Sequence, residues 1–149
     1  MSQEDFPQRD WRRWATMFGA AGLGAVFLVA GLTKMQDVAG FFHDIEGYRT
    51  FPPAVAAGLA YFVPALESVA GAAVLMVRWR RPGAWVLGFL LAAFLALLAV
   101  SWVRGLDVTC GCFGQRTAGA NYPLLLGRDA VLLALAIFVF KGSTQPPKL

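Results

Sequence analysis

The stretch GAWVLGFLLAAFLALLAVSWV, residues 83–103, contains no charged side chain and consists almost entirely of aliphatic and aromatic residues. A helix needs about 20 apolar residues to cross the roughly 30 Å hydrocarbon core of a bilayer. Lipid offers no hydrogen-bond partner for free backbone groups, so a segment inside it must be helical. This stretch therefore predicts a transmembrane helix.

Three further apolar segments predict the rest of a helical bundle. They lie at about residues 14–32, 54–77 and 124–140. The first follows a basic cluster, as a signal-peptide core does. Its apolar run exceeds the usual limit of about 15 residues and no small-residue cleavage site follows it, so we expect a retained helix. The predicted fold class is an all-α integral membrane protein, a four-transmembrane-helix bundle forming one domain over residues 1–149, with a disordered tail at residues 141–149.

The composition supports this fold class. Hydrophobic residues make up 58% of the chain and charged residues 15%, and the mean hydropathy is +0.58. A typical soluble domain is about 45–50% apolar and about 25% charged, so a soluble enzyme, a disordered chain and a coiled coil are excluded. Small residues also recur at the spacing that lets membrane helices approach closely. These pairs are Ala15/Gly19, Ala20/Gly24 and Ala92/Ala96.

The positive charges indicate an orientation in the membrane rather than a nucleic-acid partner. The net charge is +4, but the basic residues flank the apolar segments, so we expect membrane lipid as the surrounding partner and no nucleic acid. With four spans, eight basic residues lie on the same side of the membrane as the two termini: Arg9, Arg12, Arg13, Arg78, Arg80, Arg81, Lys141 and Lys148. Five basic residues lie on the other side: Lys34, Arg49, Arg104, Arg116 and Arg128. The excess predicts a multi-pass protein of the cytoplasmic (inner) membrane with both termini inside, N-in/C-in.

Both cysteines of the chain, Cys110 and Cys112, lie in the link between the third and fourth predicted spans, on the predicted extracytoplasmic side. A disulfide prefers Cα atoms about 4.4–6.8 Å apart, so bridging this pair requires a bent backbone, which Gly111 permits. A strained disulfide is readily reduced, and closing so short a loop stabilises little. The spacing therefore favours Cys110 and Cys112 as redox-active catalytic residues, with Gly111 and Gly114 as structural loop residues.

Two other interpretations of the cysteines stay open. They could form a simple structural disulfide. They could also be soft ligands for copper or zinc, with His43 as a third ligand. No covalent cofactor is expected in any of these cases.

Glu67 lies near the middle of the second predicted span, three residues after Pro64. A carboxyl group at this depth is costly and is expected to face the bundle interior. It would serve as a proton carrier, as a hydrogen-bond partner for a quinone head group, or only as a polar bridge between helices. Pro64 removes one backbone hydrogen bond and predicts a kink that either serves a ligand or is merely tolerated.

Further candidates for a quinone or proton site are Trp102, Arg128, His43 and Lys34. Arg128 could extend toward the membrane surface, pair with Asp129 or reach inward to Glu67. His43 would be solvated, or would act as a proton donor or ligand. Lys34, at the end of the first span, would anchor that span at the membrane surface or join the site.

Several motifs of the chain occur together, and in this order, in one known family. They are Ala30-Gly31-Leu32-Thr33-Lys34, Asp37, Phe41, Ile45, Tyr48, Pro52, Pro64-Ala65-Leu66-Glu67, Gly71, Cys110-Gly111-Cys112-Phe113-Gly114 and Arg128-Asp129. On these residues the chain resembles the MauE/DoxX-like membrane proteins, and most closely the MauE (methylamine utilisation) branch, over roughly residues 13–140.

The resemblance implies a four-helix membrane protein associated with redox chemistry. MauE is linked to maturation of the disulfide-rich small subunit of methylamine dehydrogenase, beside a thioredoxin-like partner. DoxX-like relatives are associated with thiol oxidation, and one branch with quinone reduction. The arrangement is also similar to that of vitamin K epoxide reductase-like enzymes, but this chain lacks their Cys-x-x-Cys motif and their shuttle cysteines.

Together these features predict a thiol–disulfide oxidoreductase of the cytoplasmic membrane. The expected partner is a thioredoxin-like or disulfide-containing extracytoplasmic protein, and a quinone near Glu67 and Trp102 is the expected membrane cofactor. The alternatives are a copper- or zinc-handling membrane protein and a non-catalytic assembly factor for a redox partner.

Overall fold

The computed structural model describes residues 6–106 and 121–143, and every regular element within these ranges is an α-helix. The five helices are α1 (Phe6–Gln36), α2 (Val38–Gly47), α3 (Pro53–Leu75), α4 (Arg80–Val103) and α5 (Tyr122–Gly142).

Four of these helices are long and apolar enough to cross a membrane, which confirms the predicted all-α fold with four spans. The spans are Asp10–Gln36, Pro53–Leu75, Arg80–Val103 and Tyr122–Gly142. Several helices extend past the apolar segments because backbone hydrogen bonding continues into the polar residues that flank them. For example, α5 includes Lys141 and Gly142, which the sequence assigned to the tail. Residues 144–149 of that tail lie outside the described ranges.

The short helix α2 was not predicted from the sequence. It begins after Asp37, whose carboxylate accepts a hydrogen bond of 2.9 Å from the backbone N–H of Gly40. This contact caps a helix N-terminus in the usual way. On its inner face Phe41 and Ile45 are buried with Ala56 of α3. The helix therefore covers the first half of α3.

The backbones of α1 and α3 approach each other closely at two glycines. A Cβ atom on Gly24 would lie 2.8 Å from the carbonyl oxygen of Gly71. A Cβ atom on Gly71 would lie 2.8 Å from the backbone nitrogen of Leu28. Backbone atoms cannot rotate away as a flexible side chain does, so only glycine permits this approach.

The core of the bundle lies between α1, α3, α4 and α5. Its buried residues include Leu23 and Phe27 of α1, Leu87 and Leu91 of α4, and Val139 of α5. These side chains repeat every three or four residues along α1 and α4, as expected for one face of a helix.

The small-residue pairs predicted from the sequence have different outcomes. Ala20 and Gly24 are buried at helix contacts, as predicted. The prediction for Ala92 and Ala96 is wrong, because both are exposed. In an all-apolar helix such as α4, small-residue spacing does not reveal which face is buried.

We expect Gly71→Leu to lower the free energy of unfolding by about 1–3 kcal/mol, the usual cost of overpacking, because it forces α1 away from α3. The measurement is an unfolding titration with sodium dodecyl sulfate in mixed micelles, followed by helical circular dichroism. Gly58→Leu on the same helix is the control, since a Cβ there meets nothing within 4 Å. Equal losses in the two variants would contradict the proposed role of the backbone contact.

Candidate functional site

The side chains of Lys34 and Glu67 form an ion pair inside the bundle. The Lys34 ammonium donates hydrogen bonds of 2.8 Å to both carboxylate oxygens of Glu67. The two side chains are only 4% and 2% exposed. The expectation that Lys34 anchors the first span at the membrane surface is therefore wrong, because α1 runs on to Gln36 and brings Lys34 against the middle of α3.

Two aromatic rings complete the surroundings of the Lys34 ammonium. Its nitrogen lies 5.1 Å from the ring centroid of Phe41 and 5.3 Å from that of Phe94. The faces of aromatic rings carry partial negative charge and attract a cation at this distance. Side chains from α2, α3 and α4 thus converge on one charge that α1 supplies.

A second ion pair lies at the start of α5. Arg128 donates from Nε and from a terminal guanidinium nitrogen to Oδ1 of Asp129, each at 2.9 Å. Asp129 is buried, whereas the Arg128 side chain remains 30% exposed. Of the three arrangements considered for Arg128, the structure contains the pair with Asp129.

Both ion pairs line one small, partly open cavity of about 30 Å³. Apolar side chains form the rest of its wall, including Phe27, Leu91 and Leu132. A water molecule needs about 10–15 Å³ measured in this way, so the cavity accommodates water. A pocket for an organic ligand is typically about 300–1,000 Å³, so this space is too small for a quinone ring.

Two sequence candidates lie away from this cavity. His43 projects from α2 with 73% of its side chain exposed, and its Nδ1 atom lies 3.5 Å from a carboxylate oxygen of Glu46. Trp102 is 53% exposed near the end of α4, where its ring stacks on Tyr122 at a centroid distance of 6.2 Å. The structure therefore brings Lys34, Glu67 and Arg128 together but leaves His43 and Trp102 outside this group.

Pro64 lies inside α3, which continues through it. Pro64 is buried, and its carbonyl oxygen accepts a hydrogen bond of 2.9 Å from the Ser68 hydroxyl. This is the common bond of a serine hydroxyl to the carbonyl four residues earlier, and it does not replace the hydrogen bond to the Ala60 carbonyl that Pro64 cannot donate.

Cys110 and Cys112, together with Gly111 and Gly114, lie outside the described residues, but the two ends of their segment are described. The hydroxyl of Tyr122 donates a hydrogen bond to the carbonyl oxygen of Leu106. Tyr122 also packs with Leu98 and with Tyr48, the residue that follows α2. Leu106 and Tyr122, on either side of the segment, therefore lie close together beside the end of α2.

Phe94, Tyr48 and Tyr122 were missed as site residues from the sequence. Phe94 is one apolar residue among many in α4, so no sequence signal distinguishes it. Tyr48 belongs to the motif set quoted for the resemblance, which was the available signal for its role. Tyr122 directly follows the link that holds the cysteines, but aromatic residues at the membrane boundary are common.

We expect Lys34→Met to lower the free energy of unfolding by about 3–5 kcal/mol, because it leaves the Glu67 carboxylate buried without a partner. The double variant Lys34→Met with Glu67→Leu should recover most of that loss. Unfolding titrations of the two single variants and the double variant measure the coupling. Glu46→Gln, which removes the exposed pair between His43 and Glu46, is the control and should change the free energy of unfolding by less than about 1 kcal/mol. A double variant no more stable than Lys34→Met would contradict this assignment.

The comparisons with known proteins agree on one family. The family model described as "Methylamine utilisation protein MauE" matches residues 12–142, which include both ion pairs and the cysteine segment. The "Methylamine utilization protein MauE" of Paracoccus denitrificans is 29% identical over 121 residues, 80% of this chain and 65% of the relative. The protein of the same name from Paracoccus versutus is 28% identical over 116 residues, 77% of this chain and 62% of the relative.

The chain thus spans somewhat less than two thirds of the length of these curated relatives. No solved structure matches it. Because the family model covers nearly all of the helical bundle, the chain belongs to the MauE family of membrane proteins.

Proposed function

We propose that this MauE-family membrane protein carries out thiol–disulfide exchange through Cys110 and Cys112. In this proposal the protein lies in the cytoplasmic membrane with both termini inside. The cysteine pair faces the extracytoplasmic side, where it exchanges electrons with a thioredoxin-like or disulfide-containing protein. The names of the relatives support a role in methylamine utilisation, and the disulfide-containing partner would then belong to that process.

The observation that carries the proposal is the attachment of the cysteine segment at both ends. Two contacts hold these ends together. Tyr122 forms a hydrogen bond with Leu106, and the ring of Trp102 stacks on the ring of Tyr122. Cys110 and Cys112 follow Leu106 by four and six residues, so the length of the chain keeps both within about 22 Å of this attachment. We propose that the pair meets its protein partner at this end of the bundle.

The exchange itself needs only the two sulfur atoms of this chain and a disulfide of the partner. The thiolate of one cysteine attacks the partner disulfide, forms a mixed disulfide and releases one partner thiolate. The second cysteine then attacks the mixed disulfide, which forms the Cys110–Cys112 bond and releases the partner as a dithiol. The reverse sequence oxidises the partner and reduces this pair. In this proposal Arg104 and Arg116, which flank the cysteine motif in the sequence, supply positive charge that favours the thiolate.

The interior ion pairs serve this proposal as a scaffold. The cavity between them accommodates water but not a quinone ring, and Trp102 does not line it. We therefore propose a protein as the electron partner, and a quinone that binds elsewhere on the chain is the alternative to test. Metal handling by Cys110, Cys112 and His43 and a purely structural assembly role are the two other outcomes.

We expect one of the variants Cys110→Ser and Cys112→Ser to accumulate a mixed disulfide with a partner protein, because the cysteine that resolves the adduct is missing. Non-reducing gels of membranes from cells that express each variant would show an adduct that dithiothreitol removes. The double variant is the matched control and should form none. If neither single variant forms an adduct, and purified protein retains copper or zinc in stoichiometric amounts, metal handling replaces exchange.

The proposed orientation has its own test in single cysteines introduced into the Cys110→Ser/Cys112→Ser background. His43→Cys is on the exposed face of α2, at the end of the bundle that carries the cysteine segment. Arg78→Cys is exposed in the turn between α3 and α4 at the other end. A membrane-impermeant maleimide should label His43→Cys in intact cells and Arg78→Cys only after lysis. The opposite pattern would invert the topology.

The electron acceptor can be tested separately in vesicles that contain the reduced native pair. We expect the pair to reoxidise when a soluble oxidised thioredoxin-like protein is added, and to stay reduced with a short-chain quinone alone. Alkylation of free thiols followed by a gel shift measures the redox state. Reoxidation by quinone alone would assign the quinone as acceptor.

A further inference from the structure

A groove of about 280 Å³ runs along the outer surface of the bundle between α4 and α5. Its floor includes the buried Ala136 and the small residue Gly88. The rings of Trp85 and Phe89, both exposed, stack at 6.1 Å and form one wall. Every residue that lines the groove is apolar or aromatic. A hydrocarbon chain of a lipid fits such a surface, whereas a polar ligand would find few partners on it.

A positively charged side chain lies at one end of this groove. The guanidinium carbon of Arg81 lies 5.0 Å from the ring centroid of Phe140, which also lines the groove. Its neighbour Arg80 is used differently, because its Nε donates a hydrogen bond of 3.2 Å to the carbonyl oxygen of Val74 in the last turn of α3. Of these two arginines, Arg81 is therefore the one positioned against the groove.

The charge around Arg81 favours an anion. Arg78 lies in the turn that precedes α4, and Arg80 and Arg81 are the first two residues of α4. The sequence contains no acidic residue between Glu67 and Asp107. A guanidinium group also presents two parallel donors that match the oxygens of a phosphate.

We propose that the groove binds one anionic phospholipid, with an acyl chain along the α4–α5 surface and the phosphate on Arg81. The apolar groove and the terminal arginine match the two chemical parts of such a lipid. Basic pockets between transmembrane helices bind anionic lipids in this way. The site lies at the end of the bundle opposite the cysteine segment and does not depend on the thiol chemistry.

The test is native mass spectrometry of the purified, delipidated protein with phosphatidylglycerol or with phosphatidylcholine of the same acyl chains. The wild type should bind one phosphatidylglycerol more tightly than phosphatidylcholine. Arg81→Gln should reduce that preference by about fivefold, the value of one basic contact near a lipid headgroup. Arg78→Gln removes the same charge from the turn just before α4, outside the groove, and should leave the preference unchanged.

A second variant tests the groove itself. Gly88→Leu should fold, because a Cβ there meets only the Ala136 Cβ at 3.9 Å, and its side chain would occupy the groove. We expect it to lose binding of both lipids, whereas the control Gly58→Leu keeps it. Equal losses with Arg81→Gln and Arg78→Gln would overturn the proposal in favour of diffuse attraction. Undiminished binding by Gly88→Leu, or a lipid-free dimer that Gly88→Leu dissociates, would overturn it as well.

Discussion

The ammonium group of Lys34 is almost completely buried, and two carboxylate oxygens and two aromatic faces contact it there. An unpaired charge in such a place is strongly destabilising, so its position depends on Glu67. Phe41 and Phe94 add contacts from α2 and α4. Since Asp129 of α5 lines the same cavity, each of the five helices contributes a residue to this neighbourhood. The ion pair and its surroundings therefore fix the relative positions of the helices. Hydrophobic packing alone would not do so, because lipid is as apolar as the helix side chains.

The four spans could be predicted from the sequence because a run of apolar residues long enough to cross a bilayer has no other stable arrangement. The helix α2 could not, because it has ten residues and its apolar face is too short for a clear period. The choice between helix faces also failed at Ala92 and Ala96, since α4 is apolar all round and either face could have been buried. Hydropathy thus predicts which segments enter the membrane. It does not predict which face of each helix packs against the others.

The candidate site shows the same limit. Glu67 was identified because a carboxyl group inside a span is rare and costly. Its partner was ambiguous, because Lys34 and Arg128 are both cations near the ends of apolar runs, far from Glu67 in sequence. The contact between α1 and α3 through Gly24 and Gly71 favours Lys34, and only a three-dimensional arrangement reveals that contact. The cysteine pair is the reverse case, since the sequence predicts its chemistry and its geometry lies outside the described residues.

The separation of Lys34 and Glu67 along the chain affects how the protein is made. Lys34 leaves the ribosome well before Glu67, so α1 enters the membrane before its counter-charge exists. During that interval the long side chain of Lys34 can extend toward the water at the membrane surface. Glu67 arrives within α3 together with Gly71, the residue that permits close contact with α1. Insertion of α3 therefore also supplies the counter-charge for Lys34 of α1. We expect α1 and α3 to take their final positions in the bilayer together, as one hairpin.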